Sequence, residues 1–123
     1  MITVDSCGWL EFYTNGPLCN QYAEYLRDLN DIITPVIILY EIYKKVKREY
    51  SEDEALLAII PILKTKVILL DNHLALMAAD ISLESHLPMA DAIVFATAQF
   101  HGSQLITSDI HFKNLKNVIY LGS

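Results

Sequence analysis

Short apolar runs alternate with stretches of helical spacing along this chain, and that alternation limits the folds open to it. Ile2–Val4, Asp31–Thr34, Lys66–Leu70, Gln104–Thr107 and Asn117–Leu121 read as short strands. Ser6–Tyr13, Leu18–Leu29, Val36–Tyr50, a segment starting at Ser51, Asn72–Ser85 and Pro88–His101 read as helices. The punctuation agrees. Asn15, Gly16 and Pro17 break the first helix, and Ser51 with Glu54 forms a capping box. Pro61 should end or kink its helix, Pro88 suits a first helical residue, and Gly102 suits a stop. Strands separated by helices are best buried as a parallel sheet with helices on both faces, so an α/β fold is expected.

Composition narrows this further. The chain has 123 residues, the size of one domain, so 1–123 is read as a single unit. It is 53% hydrophobic and 20% charged, which excludes disorder. A mean hydropathy of +0.30 is high for a lone domain. It implies a sheet covered on both faces, an apolar patch covered by a partner, or both. Cys7 and Cys19 make no disulfide framework and lack zinc-finger spacing, so a reducing setting is expected. No signal peptide is expected before Asp5, and apolar stretches fall short of the ~18 residues of a membrane span. The expectation is a cytoplasmic protein with no membrane partner. A net charge of −6 argues against binding nucleic acid through bulk electrostatics. A nucleic-acid substrate would need positive charge added locally, and a metal ion is the obvious source.

The chain carries no G-x-G-x-x-G, no Walker A loop and no G-x-S-x-G elbow. Cys7 follows the first strand with no His close in sequence, and a buried, inert thiol is the expectation. What remains are acids in unusual places. Asp5 ends the first strand and Asp109 follows the fourth, which is the same carboxyl edge of a parallel sheet. Asp91 and Glu41 each sit inside long apolar helical runs. Asp5 and Asp109 equally suit helix N-caps, and Asp91 suits the first turn of its helix. Lys44 and Lys45 stand where they can pair with Glu41. Taken together, four carboxylates at one edge would repel one another, and such an oxygen-only set suits Mg²⁺ or Mn²⁺. Without these four, acids and bases nearly balance. Asp71 and Asp80 also flank element ends and are not excluded by spacing.

These residues carry a resemblance. The chain is similar to the PIN domain family over essentially its whole length, and most like the toxin ribonucleases of VapBC-type toxin–antitoxin modules. The matching elements are Ile2-Thr-Val-Asp-Ser6, Glu41 in an apolar helix, Asp91-Ala-Ile-Val-Phe-Ala-Thr-Ala98, and Thr107-Ser-Asp-Ile-His-Phe112. Cys7 stands where the family usually has a small polar residue. The resemblance implies a three-layer α/β/α sandwich around a central parallel sheet, here of five strands. It implies that Asp5, Glu41, Asp91 and Asp109 hold Mg²⁺ or Mn²⁺ and hydrolyse RNA phosphodiesters as an endoribonuclease. Ser6 and Thr107 would orient carboxylates or water around the ion. It implies a homodimer neutralised by a small antitoxin protein.

Three further readings come from the residues. Lys45 and Arg48 share a helix face with Glu41 and are candidate RNA contacts, although cations also suit a helix C-terminus. His101 and His111 lack metal-ligand spacing and are expected at the surface. Tyr22, Tyr25, Leu26, Val36, Leu39, Tyr40 and Tyr43 exceed the needs of a small core; their helical spacing assigns them to the core first, with a dimer interface or a groove for a partner helix as the alternative for some. The competing functions are a PIN-domain RNA-processing nuclease without an antitoxin and a non-enzymatic acidic binding module. A phosphoacceptor receiver domain fits poorly, since Asp5 has no adjacent acidic partner.

Overall fold

The computed structural model describes residues 1–122. The elements run β1 (Ile2–Val4), α1 (Ser6–Tyr13), α2 (Cys19–Tyr25), β2 (Ile33–Pro35), α3 (Val36–Glu49), α4 (Glu52–Leu63), β3 (Lys66–Ile68), α5 (Asn72–Ser85), α6 (Met89–Phe100), β4 (Gln104–Thr107) and β5 (Val118–Tyr120). One-turn 3-10 helices fill Leu29–Asp31 and Ile110–Phe112. Every strand pairing is parallel, and the α/β alternation expected from the sequence is present.

The single five-stranded sheet is not. β1, β4 and β5 form one piece in the order β1-β4-β5, and β2 pairs with β3 in another. One isolated parallel bridge, Ile2 to Ile32, joins the pieces. The reason is local. Leu29–Asp31 is wound into a 3-10 turn, which shortens the strand expected from Asp31. Pro35, at its far end, has no N–H to give to a ladder. The second helix is also shorter than its apolar spacing predicts, stopping at Tyr25.

The other helix boundaries follow their caps. Asp5, Ser51 and Asp71 accept from the amides of Ser6, Glu54 and Leu74 to start α1, α4 and α5. Pro61 lies in the last turn of α4, where it ends the helix within two residues. Gly102, at φ +64°, takes the left-handed conformation just past α6.

The core explains the long apolar run of α6. Ala92 through Ala98 are all buried, between the sheet, α3 and α5. Val4, Leu105 and Ile106 of the sheet meet Ile38, Ile42 and Val46 of α3 in the same cluster. Tyr22 and Leu26 are core residues, and Tyr25, Leu39 and Tyr43 pack against that core, so most of the supposed surplus is ordinary interior. The exposed apolar surface lies elsewhere. Leu56, Leu57, Ile60 and Leu63 are exposed on α4, and Leu76, Leu83 and Met89 on α5 and α6. Among the described residues, no helix is long and apolar enough to cross a membrane.

Gly8 lets α1 settle onto the sheet. A Cβ at Gly8 would lie 2.8 Å from Val4 Cγ1 and collide with the Tyr22 ring. Gly8→Ala is therefore expected to lose roughly 1–3 kcal/mol of stability. Denaturant midpoints of the two proteins measure this, and an unchanged midpoint would refute the tight packing of α1.

Candidate metal centre

The β1–β4 ladder continues one residue past β1, where the Asp5 amide donates to the Ile106 carbonyl at 3.1 Å. This places Asp5 beside Thr107 at the carboxyl edge. Asp5 Oδ1 accepts from the Ser6 amide at 2.8 Å. Its Oδ2 accepts from the Thr107 hydroxyl at 2.9 Å. Thr107 Oγ1 in turn accepts from the Asp109 amide at 3.0 Å. One hydroxyl thus ties the ends of β1 and β4 and fixes two acids against each other. Asp109 also caps the turn Ile110–Phe112, accepting from the His111 amide at 2.9 Å. The N-cap reading of both aspartates is correct, and it coexists with their convergence.

Asp91 comes from the first turn of α6 and Glu41 from the second turn of α3. Their shared surroundings show in their acidities. Burial pushes the Asp5 carboxyl from 3.8 up to about 6, with Asp91 and Asp109 adding repulsion and the Ser6 and Thr107 hydrogen bonds opposing it. Burial, then repulsion from Asp5 and Asp91, pushes Glu41 from 4.5 up to about 7. The Ser6 side chain opposes that rise. Asp91 is raised chiefly by burial, against its hydrogen bond from His111. The four expected acids are thus close enough to feel one another's charge, with Ser6 and Thr107 beside them. Among the described residues, the group whose ligand atoms all lie within 4.8 Å of one another is Asp91, Asp109 and His111, and Asp5 and Glu41 stand outside that group.

No Lys or Arg lies within salt-bridge distance of these four acids among the described residues. The local pairing open to Glu41 does not form. Lys44 Nζ donates to the Tyr40 hydroxyl at 3.1 Å, and Lys45 Nζ to Glu49 at 3.0 Å. Buried like charges without a counter-cation are unfavourable, and a hard divalent cation is the partner such an oxygen-rich donor set fits. Asp71 stands outside the cluster as the cap of α5, and Asp80 lies exposed on the same helix.

Two neighbours complete the site. Lys45 and Arg48 line a recess of about 240 Å³ with Ser6, Tyr40, Glu41 and Lys44. Cys7 Sγ lies 3.6 Å from Asp5 Oδ2 and 3.5 Å from Thr107 Oγ1. Burial and Asp5 both push its thiol up, so it has the character of an inert thiol and not of a nucleophile. The sequence reading missed His111. It is exposed, as expected, but its Nδ1 lies 2.8 Å from Asp91 and 3.3 Å from Asp109. The available signal was its position two residues after Asp109 on a tight turn.

The sequence matches the PIN domain family over residues 2–118. A search of curated protein sequences finds no match. Among solved structures the chain is similar to a toxin–antitoxin complex from Klebsiella pneumoniae, with a TM-score of 0.80 and 21% identity over 97% of this chain and 96% of that one. It is similar to FitAcB from Neisseria gonorrhoeae, with a TM-score of 0.76 and 18% identity over 99% and 97% of the two chains. It is also similar to VapC20 of Mycobacterium tuberculosis, described as a toxin that cleaves the sarcin–ricin loop. There the TM-score is 0.71, with 18% identity over 85% of each chain. At these identities the likeness is one of fold.

The raised acids give a pH dependence with a definite sign. Between pH 4 and 7 the folded metal-free chain binds more protons at Asp5 and Glu41 than the unfolded chain does. Their contribution to stability is intact at the low end of that window and is lost as pH rises through about 6 to 7. For Asp5 the loss is on the order of 3 kcal/mol. Melting temperatures of the chain in EDTA are expected to fall between pH 5 and 8, and less steeply in Asp5→Asn. A flat or rising profile would contradict the electrostatics of the cluster.

Proposed function

The chain belongs to the PIN domain family, and from that premise we propose that it is a metal-dependent endoribonuclease, the toxin of a type II toxin–antitoxin pair. The observation that carries this reading is the shared neighbourhood of Asp5, Glu41, Asp91 and Asp109, with no Lys or Arg within salt-bridge distance of them among the described residues. These four would hold Mg²⁺ or Mn²⁺, and a bound ion would supply charge to offset the phosphate and to lower the pKa of a nearby water. The chain's own residues do the positioning. Thr107 and Ser6 fix the carboxylates through the hydrogen bonds described above. Burial makes Glu41 and Asp5 weaker acids in the metal-free chain, and a bound cation would return both to the carboxylate form that ligates it.

Lys44, Lys45 and Arg48 supply positive charge at the rim of the acidic site, where an RNA backbone would otherwise be repelled. The exposed Tyr40 ring beside them offers a face on which a base can stack. The apolar surface supports protein partners. An open cavity of about 290 Å³ between α1, α3 and α4 is lined by Leu10, Tyr13, Val46, Tyr50, Leu57 and Ala58. It suits the apolar face of an antitoxin helix. A second, more apolar hollow between α5 and α6, bordered by Leu70, Leu83 and Met89, suits a homodimer contact. A cytoplasmic location follows from that role.

The test compares wild type and Asp5→Asn on structured RNAs with Mg²⁺, Mn²⁺ or EDTA. Circular dichroism verifies that the variant is folded. Discrete cleavage is expected that EDTA abolishes and that Asp5→Asn lowers by roughly 100-fold or more, since even residues that merely orient metal ligands cost about 10–100-fold. Full activity in folded Asp5→Asn would sink the proposal. The pair Lys45→Ala and Arg48→Ala is expected to weaken cleavage of all RNAs alike and to flatten its salt dependence. An unchanged salt slope would remove these residues from the RNA path.

A further inference from the structure

We propose that His111 is a fifth ligand of the metal centre and that its nitrogen biases the site toward Mn²⁺ over Mg²⁺. The inference rests on the metal-centre reading above and goes beyond its all-carboxylate donor set. One ligand atom each from Asp91, Asp109 and His111 lies within 4.8 Å of the others. His111 Nδ1 is 2.8 Å from Asp91 Oδ2 and 3.3 Å from Asp109 Oδ1. Donors to one small divalent ion must lie within a few ångströms of one another, and these three do. An ionised carboxylate can only accept, so in the metal-free chain Nδ1 donates to Asp91. An ion bound at Nδ1 would take the place of that proton, leaving a neutral ring with its hydrogen on Nε2, and metal binding would then be favoured by rising pH.

The ring is held there from two sides. The His111 amide donates to Asp109 Oδ1 at 2.9 Å, which fixes the turn to one ligand. The next residue, Phe112, is fully buried and packs on Phe95 of α6 with ring centroids 6.3 Å apart. That packing sets the spacing between the His111 turn and the helix that carries Asp91. The chemistry then decides the ion. Imidazole suits first-row transition metals, whereas Mg²⁺ demands oxygen donors and releases its water reluctantly.

A residue that merely braced Asp91 would affect both ions alike, so the test is metal-specific. Mn²⁺ and Mg²⁺ binding is measured by calorimetry on wild type and on His111→Asn, whose amide keeps a hydrogen-bond donor near Nδ1 but gives a cation only oxygen. The variant is expected to lose about 10-fold in Mn²⁺ affinity while Mg²⁺ affinity stays within about 2-fold. Pulsed electron paramagnetic resonance of bound Mn²⁺ should show imidazole nitrogen modulation in wild type and none in His111→Asn. Equal losses for the two ions, no loss for either, or no nitrogen modulation in wild type with Mn²⁺ bound would overturn the inference and leave the carboxylate centre standing. Failure of wild type to bind either ion would overturn both.

Discussion

The hydrogen bond from Thr107 to Asp5 is the point on which the site depends. It joins the last residue of β4 to the first residue after β1, across the parallel pairing at the centre of the sheet. Parallel pairing brings the carboxyl ends of strands to one edge. Thr107 then converts that register into a distance between carboxylates, since it donates to Asp5 and accepts from the Asp109 amide. Helices that start at this edge add their own acids. Asp91 enters from the first turn of α6 and Glu41 from α3, both packed into the same core.

The arrangement is electrostatically strained without a cation. Asp5 is almost wholly buried and faces other carboxylates, and its two compensating hydrogen bonds do not restore an ordinary acidity. A fold with so much buried apolar surface, in α6 above all, tolerates that strain. Local disfavour of this kind is common where a site is built to receive charge. His111 moderates it from the open side, as the one cationic type of side chain that reaches the aspartates among the described residues.

Much of this was legible in the residues. Ser6–Tyr13, Asn72–Ser85, Ile2–Val4 and Gln104–Thr107 have the expected bounds, because caps and breaks lie next to the residues they act on. Glu41 and Asp91 stood out because a charge within an apolar helical run needs a partner. Glu41 finds neither Lys44 nor Lys45, since Tyr40 and Glu49 engage those lysines one turn away on either side. Other features were not legible. His111 looked like a surface residue because its exposure is real, and its link to Asp91 spans 20 positions. The tyrosines of α2 and α3 looked surplus because residue counts do not reveal how much interior six helices create.

By itself, the sequence determined the α/β alternation and the acids that would share an edge. Both are written in short-range patterns: apolar spacing, caps, and a carboxylate at the end of a strand. Only the tertiary structure decided that the sheet divides after one bridge between Ile2 and Ile32. It also decided that a histidine closes over the aspartates, and that the uncovered apolar faces lie on α4 and α5. Those outcomes depend on side chains and backbone groups meeting across elements far apart in the chain, which no local pattern encodes.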